Sequence, residues 1–197
     1  MLLNILVMWF VASGLLIVLY ARHELVSAWL EPALRRPVLI IESDDWGAGT
    51  TRQADALGEI ARVLVVFTDR DGRRPVMTLG LILATADGEK IQRTGRYHRT
   101  RISESTHMPL LKAIGDGVEA GVFHTQLHGL EHFWPPALMA ASETDETVKA
   151  WLCDTPDVST EDLPSPLQSR WVDASVLPSR PLAGDDINQA VQEEVSA

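Results

Sequence analysis

The first twenty positions contain no charged side chain (Met1 to Tyr20, MLLNILVMWFVASGLLIVLY), whereas the rest of the chain breaks into short apolar runs separated by polar, Gly- and Pro-containing stretches. A helix rising about 1.5 Å per residue covers roughly 30 Å over such a run, the thickness of a hydrocarbon core. No basic n-region precedes the run and no clear small-x-small cleavage site comes before Arg22, so residues 1–21 predict an uncleaved membrane anchor rather than a signal peptide or a core helix. Arg22, Arg35 and Arg36 follow it in a presumptive linker over 22–36. This asymmetry points to a cytoplasmic body without fixing the side.

Residues 37–197 read as an α/β domain. Pro37 opens Val38-Leu39-Ile40-Ile41, too short for a helix and continuous enough for a strand buried on both faces. From Gln53 onward Leu57, Ile60, Ala61 and Leu64 recur at helical spacing. A second apolar run, Pro75 to Thr85, predicts a strand, and the polar, basic stretch from Asp87 to about His107 predicts a long loop. Leu110, Leu111, Ile114 and Val118 mark another helix, ended by Gly121, and Val122 to Leu127 a third strand. Pro135 and Pro136 suit the first turn of a helix, with a further short one over Asp145 to Leu152. Residues 153–168 read as a connector, and Asp185, Ile187, Val191 and Val195 as a last helix. Strands alternating with helices imply parallel pairing through crossovers, with function at the strands' C-terminal ends.

Composition narrows the partners. The formal net charge of −10 argues against a broad basic face for nucleic acid, leaving local patches open, and the single Cys153 excludes both a disulfide scaffold and a thiolate-rich zinc module.

Two polar clusters follow predicted strands: Glu42-Ser43-Asp44-Asp45-Trp46-Gly47 after the first and His128-Gly129-Leu130-Glu131-His132 after the third. His128 and His132 are four residues apart, which on a helical turn places both imidazoles on one face. Such a pair is common on surfaces that bind nothing, just as Ser-Asp-Asp before Gly is ordinary turn chemistry. Together they change the picture, because two imidazoles and one carboxylate make an open site for a divalent metal and a second carboxylate can accept a proton from water.

Asp44-Asp45 after a hydrophobic strand, followed by His-x-x-x-His after a later one, resembles the first two motifs of the polysaccharide deacetylase superfamily, carbohydrate esterases of the chitooligosaccharide deacetylase type. The resemblance covers about residues 37–152. It implies a distorted (β/α) barrel and a hydrolase that uses a divalent metal, usually zinc, to remove acetyl groups from N-acetylated sugars by metal-activated water. It further implies Asp44 as catalytic base and Asp45, His128 and His132 as metal ligands. The family's later motifs are not evident: Arg170-Trp171 and Arg180-Pro181 are the downstream candidates for its arginine motif. The fold expected is therefore an incomplete (β/α) barrel of this type, cut short at its C-terminus and preceded by the membrane helix.

Trp46 and Trp134 flank the motifs as candidate platforms for a sugar ring, with packing as the alternative. Glu131 is expected to face solvent, with orienting a neighbour as the alternative; His124 is expected to be a core or supporting histidine, and Arg93 to Arg101 to lie on a solvated loop, with contact to an anionic polymer or lipid headgroups as the alternative. Two other functions stay open: a non-catalytic metal- or carbohydrate-binding remnant, and a different metal-dependent hydrolase such as a phosphoesterase.

Overall fold

A computed structural model describes residues 2–31, 38–155, 158–175 and 178–196. The chain forms two units, Met1–Leu39 and Ile40–Ala197. In the first, α1 (Leu2–Tyr20) is a helix long and apolar enough to cross a membrane. The stretch expected as linker is helical over α2 (Arg22–Leu30), joined to α1 by the hydrogen bonds from Ala21 N to Ile17 O and from Leu25 N to Ala21 O. Arg35, Arg36 and Pro37 lie outside the described residues.

The second unit is mixed α/β. Its main sheet contains β1 (Ile41–Gly47), β2 (Met77–Ile82) and β5 (Phe123–Gly129), all parallel, in the order β1-β2-β5. Helix α3 (Arg52–Leu64) connects the first two strands, and α5 (Met108–Glu119) leads into the third. The apolar stripes of both helices meet one face of the sheet, where Leu57, Leu79, Leu110, Ile114 and Val122 are buried. Each such leucine contributes about 1.5–3 kcal/mol of apolar transfer.

The other face is polar: Glu42, Asp44, His124 and Gln126 are exposed along it. The expectation of a strand buried on both faces therefore fails for β1. Val38, Leu39 and Ile40 lie before the strand and are exposed, and the strand proper begins at Ile41.

Asp87 to His107 is not the long loop that its polarity predicts. It folds into α4 (Gly88–Thr94) and β4 (Arg99–Arg101), the latter antiparallel to β3 (Ala84–Ala86). The local reason is capping: the Asp87 side chain accepts from Lys90 N at 3.0 Å, and Gly95 closes the helix in the left-handed region at φ +66°. Ile91 then joins a second core with residues of α6 (Pro135–Ser142) and α7 (Glu146–Asp154). Asp145 caps α7 by accepting from Thr147 N at 2.8 Å.

The connector after α7 contributes buried Leu163 and Leu167 to this core. Trp151 Nε1 donates to Ser159 O at 2.7 Å, tying the connector down. The short strands β6 (Val172–Asp173) and β7 (Arg180–Pro181) pair antiparallel, and α8 (Gly184–Val195) adds Ala190 to the core.

His107, at the entry to α5, is 2% exposed, and its Nε2 finds no partner among the described residues. Burial lowers its pKa below the ordinary imidazole value. The unfolded chain therefore takes up the proton first as pH falls below about 6.5, and stability drops through the window beneath that value. We expect His107→Leu to flatten this part of the pH dependence in urea titrations at pH 7 and pH 5; an unchanged difference would contradict the account.

Candidate metal centre

Two irregularities in the sheet build the site. Between the pairs Ser43 with Leu79 and Trp46 with Leu81, Asp44 and Asp45 stand against a single β2 residue, which makes β1 bulge. Asp45 is the one non-glycine residue with positive φ among the described residues, at +64°. Aspartate tolerates the left-handed region better than most residues, so the bulge can turn its carboxylate out of the strand's alternation. A matching irregularity lies between Leu127 opposite Leu81 and Gly129 opposite Ile82, leaving His128 as the extra residue of β5. Both bulges sit at the C-terminal ends of parallel strands.

Asp45, His128 and His132 converge there, with one potential ligand atom from each within 4.8 Å of the others. Asp45 Oδ1 lies 3.3 Å from His128 Nε2 and 3.2 Å from His132 Nε2. Ligands held about 2.0–2.1 Å from a tetrahedral zinc stand roughly 3.3–3.4 Å apart, so these spacings suit a shared ion. Buried Oδ1 has no hydrogen-bond partner among the described residues, although both imidazoles are within reach of it. The ring nitrogens are thus not aligned to donate to that oxygen, and the three groups fit a common cation better than a hydrogen-bonded trio. The imidazoles stack at 5.8 Å between centroids and 21° between planes.

The helical turn expected for His-x-x-x-His is absent. His128 is the penultimate residue of β5, and His132 lies in the irregular segment before α6. The strand continues to Gly129 because its backbone pairs with β2, and the turn that follows returns His132 to the first histidine.

Asp44 lies outside the three-residue cluster. It is exposed, and its carboxylate rests over Gly80 of β2: a Cβ built on Gly80 would come 2.5 Å from Asp44 Oδ1 and 3.3 Å from its Cα. Gly80 therefore holds space for this carboxylate. Because the clash is mainly with a side-chain tip, Gly80→Ala should displace Asp44 while leaving the melting temperature nearly unchanged. Thermal unfolding and the carboxyl NMR signal of Asp44 check this together; a lowered melting temperature, or an unmoved signal, would contradict it.

Of the two candidate sugar platforms, Trp134 takes the packing alternative. Trp134 is 3% exposed and packs in the second core beneath the Arg170 guanidinium, 5.6 Å from its ring centroid. Trp46 is half-buried against the first core, and its Nε1 donates to Ser43 Oγ at 3.0 Å. Trp171, next to the arginine-motif candidate Arg170, is exposed and lines a cleft of about 190 Å³ with His128, His132, Gln168 and Ser169. A smaller cleft on the other side of His132 is lined by Asp45, Thr50, Gln53 and Thr85.

Glu131, expected in solvent, is 1% exposed. Its Oε1 accepts from Tyr97 Oη at 3.0 Å and lies 2.7 Å from Arg99 Nε, and its Oε2 accepts from Arg170 Nη1. Burial pushes the Glu131 pKa up, against the opposing pull of Arg170 and then Arg99. Burial and the neighbouring Glu131 carboxylate together push Tyr97 well above the ordinary phenol value. Arg99 is thus ion-paired rather than solvated, and Arg170 contacts Glu131 rather than Asp44. Arg180 is exposed and lies 3.4 Å from Asp173. His124 is exposed on the polar face of the sheet, in neither of the expected roles.

In comparisons with known proteins, the chain matches no family model, no curated protein and no solved structure.

Proposed function

We propose that this chain is a metal-dependent hydrolase of the polysaccharide deacetylase type, cleaving the carbon–nitrogen bond of N-acetylated sugars. The observation that carries the reading is the convergence of Asp45, His128 and His132, with Asp44 adjacent, at the C-terminal ends of parallel strands. Sequential strand order through β1, β2 and β5 suits part of the wall of a (β/α) barrel. The apolar α1 is read as a membrane anchor for the domain.

A carboxylate and two imidazoles would hold a divalent cation, most simply zinc, and leave coordination positions open. When bound, that ion supplies Lewis-acid polarisation of the acetyl carbonyl and acidifies water. Asp44 would accept the proton of the attacking water, from a position fixed by the bulge and by the space at Gly80, and return it to the amide nitrogen as the carbon–nitrogen bond breaks, leaving acetate and the free amine. The exposed Trp171 ring beside the histidines offers a face to a sugar.

A phosphoesterase is the less favoured alternative. The guanidinium groups of Arg99 and Arg170 are committed to Glu131 and Glu193, so neither is available to clamp a phosphate. A neutral amide suits these surroundings better.

The test is acetate release from chitooligosaccharides by the zinc-loaded full chain in detergent, with p-nitrophenyl phosphate alongside. Acetate release is expected. Phosphate release alone would favour the phosphoesterase, and zinc retention with neither product would favour a binding remnant.

A further inference from the structure

Between the two histidines of the centre lies a carboxylate that touches neither of them. Glu131 points into the protein, and the next residue, His132, points out to Asp45. The groups that hold Glu131 are themselves held. Glu193 Oε2, on α8, accepts from Arg99 Nη2 at 2.8 Å and from Arg170 Nη2 at 2.9 Å. Its neighbour Glu194 places Oε1 3.3 Å from Arg170 Nε and accepts from Leu130 N at 3.4 Å.

Strand β4, the segment before β6 and the last helix thus all converge on residues 130–131. Neither of the buried charges, Glu131 and Arg170, is tolerable alone, and Arg99, Glu193 and Glu194, each about a quarter exposed or less, replace part of the solvation those two have lost. The network therefore resists partial rearrangement. A chain pinned through Leu130 N and the Glu131 side chain has little freedom to rotate His132 away.

We propose that Glu131, held by Arg99 and Arg170, which the two carboxylates of α8 brace from behind, is a positioning residue that sets the backbone course through 129–132 and so delivers His132 to Asp45. The network comprises three carboxylates against two guanidinium groups, and this excess of negative charge also favours a cation nearby. The inference rests on the metal-centre reading and extends it to residues that would touch no metal.

The test uses the full chain in detergent, with zinc affinity measured against a competing chelator and the visible absorption of the cobalt(II) form as a report on ligand geometry. Glu131→Gln and Glu193→Gln are compared with Asp185→Asn, a change on the exposed side of α8, each with its circular dichroism recorded. Loss of a partner behind a metal ligand characteristically weakens affinity about 10–100-fold. We expect a loss of that size and an altered cobalt band in both network variants, and neither in Asp185→Asn.

Wild-type affinity and cobalt spectrum in folded Glu193→Gln would overturn the proposal. If Glu131→Gln fails to fold, the half-buried Glu193 position and Arg99→Lys decide it. If the wild type takes neither zinc nor cobalt, the metal reading fails separately. Histidine side-chain NMR of the metal-free protein then reads the positioning directly: displaced or broadened His132 signals in Glu193→Gln uphold it, and unchanged signals overturn it.

Discussion

Arg170→Ala should cost about 3–5 kcal/mol of stability, a large part of the roughly 5–15 kcal/mol available to a typical domain. The Arg170 side chain is 2% exposed and meets three carboxylates, those of Glu131, Glu193 and Glu194, while lying over the Trp134 ring. Truncation leaves Glu131 buried with Arg99 as its remaining cation and opens space above a core aromatic. The effect is thus mainly the cost of an uncompensated buried charge rather than the worth of an ion pair. Arg180→Ala supplies the contrast: that guanidinium is 72% exposed beside Asp173, and a surface pair of this kind contributes about 0–1 kcal/mol. Urea titrations of the full chain in detergent, followed by near-ultraviolet circular dichroism, measure both. Equal losses in the two variants would contradict the network as described.

The second large effect is chemical. Asp44→Asn keeps the size and bulge of the residue but removes the proton acceptor, so acetate release should fall about 10²–10⁴-fold, the usual contribution of a general base. Zinc content should not change, because Asp44 lies outside the Asp45, His128 and His132 cluster. The pair of results separates a base from a ligand: loss of zinc with loss of activity would make Asp44 a ligand, and retained activity would remove it from the chemistry. Gly80→Ala should act in the same direction by displacing the carboxylate that Asp44→Asn neutralises.

Much of this arrangement was legible in the chain because it is local. The stripes at Leu57 to Leu64 and Leu110 to Val118 mark helices, and the apolar runs that open at Pro75 and Val122 mark two of the three parallel strands, whereas Val38 to Ile40 fall before β1. Acid and imidazole residues after those runs reach one rim because parallel strands end together. Helix α4 was not anticipated from the polar, basic composition of its stretch, although its caps, Asp87 and Gly95, stand in the sequence.

What the sequence could not disclose depends on distant partners. Nothing local marks Glu131 as buried, since its cations come from 32 and 39 residues away and the carboxylates behind them from α8. Nor does the spacing of His128 and His132 distinguish a helical turn from a bulged strand end followed by an irregular segment; pairing with β2 decides that. Trp134 follows the same logic: adjacent to a motif in sequence, it is claimed by a core assembled from α4, α6, α7 and α8. The left-handed Asp45 likewise follows from a register slip between strands rather than from its own preference.

The central claim is that Asp45, His128 and His132 hold a divalent cation. Its most direct test is the zinc content of the full chain, purified in detergent and dialysed against the metal, beside Asp45→Ala, His128→Ala and His132→Ala with their circular dichroism. The account predicts about one equivalent in the wild type, lost in each folded variant. A folded wild-type chain that retains no metal after zinc is offered, or variants that retain it as the wild type does, would contradict it.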